Sequence, residues 1–194
     1  MNILIDVNHP AQVHYFRNLY KELSLEHNIY LSCKKVPLIE KLLSAYNIPY
    51  MSYGEKKDNI LSKVFYQLKY DFECYNIMKN LNIDIALGSS ASNVHAAKFT
   101  KAISIATTDS DLSAIPLATK FVYPLADYLM MPDTLAYQNH PKQICYPGYQ
   151  ELAYLHPNRF EPDPTVLEQC NLRESDTFFV LRFTAFKAHH DIGM

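Results

Sequence analysis

Short runs of consecutive apolar residues alternate along this chain with longer stretches in which apolar positions return every three or four residues. Residues 2–7 (NILIDV), 28–33 (NIYLSC), 48–54 (IPYMSYG), 84–88 (DIALG), 102–107 (AISIAT) and 127–131 (DYLMM) are of the first kind and predict strands. Pro10 suits the first turn of a helix, where its missing N–H would be unpaired anyway. From there to about Glu26, Val13, Phe16, Leu19 and Leu23 form one apolar stripe, with Arg17, Lys21 and Glu22 left to face water. A second helix is expected over Pro37–Tyr46 and a third from Ile60 to Met78, where Leu61, Val64, Phe65, Leu68, Phe72, Tyr75 and Met78 keep helical spacing. Another starts near Ser90, and SAIPLATKFVYPL (113–125) predicts a short helix interrupted by prolines. Strands this apolar have no wet face, so the alternation predicts the α/β class: a parallel sheet covered by helices on both faces.

The texture changes at Tyr146. Residues 147–163, rich in proline and aromatics, read as an interdomain connection between a first domain (1–146) and the start of a second (164–194). In the latter, PTVLEQCNL (164–172) predicts a helix and TFFVLRF (177–183) a strand. A parallel strand needs neighbours on both sides, and no further segment follows to supply them. The expectation is therefore a second α/β domain that has begun and been cut off.

Composition narrows the classes of function. With 194 residues, 48% of them hydrophobic, the chain can build one ordinary domain and part of another. Eighteen Lys and Arg against 20 Asp and Glu leave a net charge of −2, so no global field favours nucleic acid or an anionic membrane. Lys63, Lys69 and Lys79 lie among aromatics on the third helix and raise peripheral membrane contact, but Asp71 and Glu73 interrupt that basic face, and packing on the sheet is the preferred reading. Cys33, Cys74, Cys145 and Cys170 form no CxxC pair, which signals neither a zinc module nor a disulfide framework and fits a cytoplasmic protein. The N-terminus lacks the basic and then continuously apolar regions of a signal peptide, and no stretch approaches about 18 uninterrupted apolar residues. With glycine only at 54, 88, 148 and 193, there is no GxGxxG, no phosphate loop and no GxSxG elbow.

In a parallel sheet, ligands bind beyond the carboxyl ends of the strands. That rule selects NHPAQVH after the first strand, GSSASNVH after the fourth and TTDSD after the fifth. These segments offer His9, Gln12, Ser89, Ser90 and Asn93 as substrate-binding candidates, and His14 and Asp109 as catalytic ones. Helix N-termini at the first two loops would present unpaired N–H groups to an anion. Their field disfavours an imidazolium, so His14 is expected to stay neutral and able to accept a proton. Ser89, Ser90 and Asn8 are also favoured helix starters on local grounds alone. The eight histidines, His95 and His140 included, never form HxxxH or HxH, and no metal site is expected.

MNILIDVNHPAQVHYFRNLYKEL, TTDSDLSAIPLATKFVYPLADYLMMPDTL, YPGYQELAYLHPNRFEPDP and VLRFTAFKAHHDIG resemble, in order, successive blocks of the family known as domain of unknown function 354, a relative of GT-B glycosyltransferases. The resemblance implies a Rossmann-like, acceptor-side domain forming the N-terminal half of a GT-B fold. A truncated second Rossmann-like domain would face a nucleotide-sugar donor. His14-Tyr15-Phe16 is similar to the His-x-Phe after the first loop of the bacterial lipid-linked GlcNAc transferase, although the glycines of that loop are absent here. AHHDIG (188–193) sits where UDP-GlcNAc 2-epimerases carry a loop that touches the nucleotide, which implies Arg182, Lys187, His190 and Asp191, with His189 beside them, as nucleotide-sugar contacts. The implied function is glycosyl transfer in cell-surface polysaccharide synthesis, from a UDP-linked sugar to a glycan or lipid-linked acceptor, with no metal or other cofactor. UDP-GlcNAc 2-epimerisation and a non-catalytic sugar-binding or scaffolding role stand as alternatives.

Overall fold

A computed structural model of the protein describes residues 1–55 and 60–181. The chain divides into two compact units, Met1–Tyr154 and Leu155–Met194.

In the first unit the strands are β1 (Asn2–Val7), β2 (Asn28–Lys35), β3 (Met51–Glu55), β4 (Ile85–Gly88), β5 (Ile103–Thr107), β6 (Tyr128–Pro132) and β7 (Gln143–Tyr146). They form one sheet in the order β3-β2-β1-β4-β5-β6-β7, and every neighbouring pair is parallel. The connecting helices are α1 (Pro10–Leu23), α2 (Pro37–Ala45), α3 (Ile60–Asn80), α4 (Ala91–Ala97) and α5 (Pro116–Phe121), followed by the single turn α6 (Leu152–Leu155). The α/β class and the Rossmann-like arrangement agree with the expectation. The strand expected at 48–54 begins at Met51; Ile48 is buried in the core with its N–H bonded back to the Leu43 carbonyl of α2.

The two-residue period of β1 shows how the layers are built. Ile5 and Val7 join Val13 and Phe16 of α1 and Ile39 and Leu43 of α2 in one buried cluster. Leu4, on the opposite face, packs with Cys74 and Met78 of α3 and Ala96 and Ala97 of α4. A third cluster unites Val94, Ala106, Leu129, Met131 and Tyr123 towards the other end of the sheet. Each large side chain fully removed from water in this way stabilises the fold by about 1.5–3 kcal/mol before entropy is counted. Asp6 falls on the face of Leu4, beneath α3 and α4, and it is fully buried.

The second unit contains α7 (Thr165–Gln169), inside the helix expected at 164–172. The strand expected at 177–183 does not form in its described part, residues 177–181. A strand is held by backbone pairing with a neighbour. None of the described residues pairs with this segment, and Phe179, Val180 and Leu181 stay 87%, 85% and 79% exposed. Among the described residues no helix is long and apolar enough to cross a membrane.

Candidate functional site

β1 lies between β2 and β4 inside the sheet, and the strand order reverses between β1 and β4. That reversal opens a crevice at the carboxyl ends of β1 and β4, where an open α/β sheet receives ligands. β4 in turn pairs with β5, so the segments after β1, β4 and β5 emerge side by side at one rim. Gly88 closes β4 opposite Asp6, at φ +155°, and a Cβ there would stand 2.4 Å from the Asp6 carbonyl oxygen. Only glycine lets the two strand ends approach so closely.

The buried side of the rim is organised by the Asp6 carboxylate. It accepts hydrogen bonds from Ser32 Oγ of β2 at 2.5 Å, from Tyr53 Oη of β3 at 2.8 Å, and from Ser90 Oγ. Ser90 is also the N-cap of α4, its oxygen accepting from the Asn93 N–H at 3.1 Å. Burial pushes the Asp6 carboxyl above its usual range, against the lowering effect of the three hydroxyls. It also pushes the Tyr53 phenol up, with the nearby Asp6 charge adding to the effect. Ser90 and Asn93, both expected to touch substrate, are instead fully buried here, and the Asn93 side-chain amide has no hydrogen-bond partner among the described residues. Ser89 is half-buried and its hydroxyl pairs with Thr107 Oγ1 at 2.6 Å, tying the end of β4 to that of β5.

On the open side, a cleft is lined by Gln12 and Tyr15 of α1, Asp109 after β5, and Gln150, Glu151 and Tyr154. Gln12 and Tyr15 stand three residues apart on one helix face. The Thr108 N–H bonds to the Met130 carbonyl, extending the β5 pairing by one residue, so Asp109 is the first residue released from the sheet. The Tyr15 phenol is hydrogen-bonded to Tyr146 and Gln150. Burial raises the Tyr15 and Tyr146 phenols, and the negative charge of Asp109 raises both further.

His14 flanks this cleft through Tyr154, whose ring lies 5.7 Å from the imidazole at 38°. Its Nδ1 is 2.9 Å from Tyr46 Oη, which also accepts from Arg17 Nη1 at 2.9 Å. Burial, followed by the Arg17 charge, lowers the His14 pKa below its ordinary value. The N-terminus of α1 is sealed by its own side chains: His9 Nδ1 accepts from the Ala11 N–H at 3.3 Å, and Gln12 Oε1 accepts from the N–H groups of Asn8 and His9. The free N–H groups expected there for an anion are thus already taken up by this capping box.

The structure therefore brings Gln12 and Asp109 together in one cleft, sets His14 against its wall, and places Ser89 on the rim. Ser90 and Asn93 go into the interior, and His9 remains an exposed cap. Arg182, Lys187, His190 and Asp191 lie outside the described residues. Asp6, Ser32, Tyr53, Tyr15, Gln150, Glu151 and Tyr154 were not singled out from sequence. Asp6 was visible as an acid ending an apolar strand, whereas the others depend on contacts between distant segments. Among the described residues no group of three or more His, Cys, Asp or Glu side chains is placed to hold a metal ion. Cys33 is buried with its thiol pushed up to about 12, mainly by burial, which makes it a poor nucleophile.

Residues 1–190 match the family described as Protein of unknown function (DUF354). The chain belongs to this family. No curated protein matches its sequence. Solved structures share its fold. A UDP-N-acetylglucosamine 2-epimerase superposes with a TM-score of 0.62 at 15% identity, over 87% of this chain and 54% of that one. The UDP-GlcNAc 2-epimerase from Neisseria meningitidis, bound to UDP-GlcNAc, gives 0.62 at 13% identity over 88% and 51%. MurG from Acinetobacter baumannii gives 0.55 at 17% identity over 76% and 45%. This DUF354 chain thus shares the Rossmann-like α/β fold of these structures and spans about half the length of the ones it matches.

Proposed function

We propose that this DUF354 protein is the acceptor-side half of a GT-B-type glycosyltransferase, cytoplasmic and working in cell-surface polysaccharide synthesis. The remainder of the nucleotide-sugar site would come from a second Rossmann-like domain. The observation that carries this reading is the cleft at the rim of β1 and β5, which Gln12 and Asp109 both line and whose Tyr154 ring contacts His14.

His14 is the general base in this reading. For Nε2 to accept a proton, Nδ1 must carry the ring hydrogen and donate it to Tyr46 Oη, an oxygen with lone pairs for both His14 and Arg17. The acceptor hydroxyl then loses its proton to Nε2 as its oxygen bonds to the anomeric carbon, and the bond from that carbon to the diphosphate breaks. The nucleoside diphosphate, UDP in this reading, departs with the electron pair, stabilised by the basic side chains of Arg182, Lys187 and His190 without a metal or other cofactor, while Asp191 would accept from a sugar hydroxyl. Asp109, with Gln12 and Ser89, orients the glycan or lipid-linked acceptor.

The test is turnover of UDP-sugars by the intact protein with and without glycan acceptors. His14→Ala is expected to cut transfer about 100-fold or more while leaving the fold intact. Unchanged turnover removes His14 from the mechanism. A second reading, epimerisation at C2 of UDP-GlcNAc, is favoured by Asp109 and Glu151 sharing one cleft, since carboxyl groups can remove a carbon-bound proton and return one. Acceptor-independent conversion of UDP-GlcNAc establishes that reading in place of transfer.

A further inference from the structure

The cleft has a chemical bias that the reaction class does not specify. Its polar lining is two carboxylates, Asp109 and Glu151, and two amides, Gln12 and Gln150, and no lysine or arginine among the described residues lines it. Neither carboxylate has an ion-pair partner among the described residues. Both carboxylates also lie close enough to the Tyr146 phenol to add to the rise that burial causes. Two tyrosines, Tyr15 and Tyr154, supply flat apolar surface beside these acceptors.

The two carboxylates, beside aromatic rings, match the hydroxyls and C–H face of a sugar ring and repel a phosphate or carboxylate; Gln12, whose Oε1 is held in the α1 cap, has only its NH2 group to offer. We infer that the cleft of Gln12, Tyr15, Asp109, Gln150, Glu151 and Tyr154 is a charge-selective sugar subsite that holds the uncharged, hydroxyl-bearing edge of the acceptor and rejects anionic sugars. This deepens the glycosyl-transfer reading and rests on it. It assigns the anionic diphosphate to another part of the site and gives Glu151 and Gln150 a recognition role. The selectivity comes from repulsion as much as from attraction, because an anion has no cation here to offset its loss of water.

The experiment is binding of three methyl glycosides to the intact protein, followed by saturation-transfer NMR: the neutral glucoside, the glucuronide and the glucosaminide. The neutral glycoside is expected to bind and the glucuronide to bind about tenfold more weakly or worse. In Asp109→Asn/Glu151→Gln that gap should close to within about threefold at low salt, with an unchanged thermal melt as the check on folding. Equal binding of glucuronide and glucoside, binding of the cationic glucosaminide alone, or a gap that survives the double substitution overturns the inference. UDP-sugar turnover measured on the same preparation separates the two claims. Turnover without glycoside selectivity sinks the subsite and leaves the reaction class standing. Selective glycoside binding without turnover does the reverse.

Discussion

Two polar groups of residues sit at the same edge of the sheet and serve different ends. One is the inward set, Asp6, Ser32, Tyr53 and Ser90, in which every hydroxyl is spent on a single buried carboxylate. The other is the outward set of Gln12, Tyr15, Asp109, Gln150, Glu151 and Tyr154, whose two carboxylates have no ion-pair partner among the described residues. Asp6, Ser32 and Tyr53 lie within β1, β2 and β3 and Ser90 just after β4, whereas Gln12, Tyr15 and Asp109 follow strand ends. What sets the two groups apart is the state of their carboxylates: that of Asp6 is filled by three hydroxyls inside the protein and holds the fold, whereas those of Asp109 and Glu151 stand exposed without an ion-pair partner among the described residues.

The sharpest way to break this division is Asp6→Ala. It strands three buried hydroxyls, and we expect a loss of about 3–5 kcal/mol, read as a lowered midpoint in urea unfolding. A loss below about 1 kcal/mol would mean that the carboxylate is not the hub of the inward set. Ser90→Ala is expected to cost about 1–2 kcal/mol, because it removes one of those hydroxyls and the cap of α4 together.

The flank of α4 provides a smaller, pH-dependent test. His95 Nδ1 lies 2.9 Å from Asp71 Oδ2, and that hydrogen bond raises the imidazole pKa above its ordinary 6.5. Asp71 also accepts from Gln67 Nε2 at 2.7 Å, and His95 Nε2 faces the Phe121 carbonyl at 3.4 Å. The folded-state pKa is the higher one, so the contribution to stability is complete below pH 6.5 and is lost as pH rises through the folded value. Urea midpoints of the native protein should therefore fall by more than those of His95→Gln between about pH 5.5 and about pH 8.5, by roughly 0.5 kcal/mol after allowance for partial exposure. Equal slopes would show that Asp71 does not hold the ring. Glu151→Gln, on the outward set, is expected to shift stability by less than about 0.5 kcal/mol, and a larger loss would move Glu151 to the structural side of the comparison.

Much of this architecture is legible in the sequence because burial on both sides of a parallel sheet leaves a strong mark. The apolar runs ending at Val7, Gly88 and Thr107 locate three neighbouring strand ends, and the rim follows from them. β7 has no such mark, being a four-residue edge strand whose Ile144 and Cys145 are exposed. Asp6 reads as the end of an apolar run, and its role emerges only from the register that sets it beside Ser32 and from the arrival of Tyr53 and Ser90. Ser90 and Asn93 are legible as a helix start, but local spacing carries no information on which way the helix buries its first turn. Gln150, Glu151 and Tyr154 fall in a stretch whose prolines and aromatics read as a connection. The first unit instead continues through Tyr154, and Asn18 of α1 bonds to the Ala153 carbonyl at 2.8 Å.

The company that Asp6 keeps also bears on how the protein moves. Residues 6, 32, 53 and 90 come from four separate segments, and none can swing away without leaving an acid or a hydroxyl stranded in a dry interior. Fluctuations that open the crevice between β1 and β4 should accordingly be all-or-none, coupled to global unfolding rather than to local fraying. Whatever adjusts to admit a ligand must then be the outer loops, working against a floor that does not give.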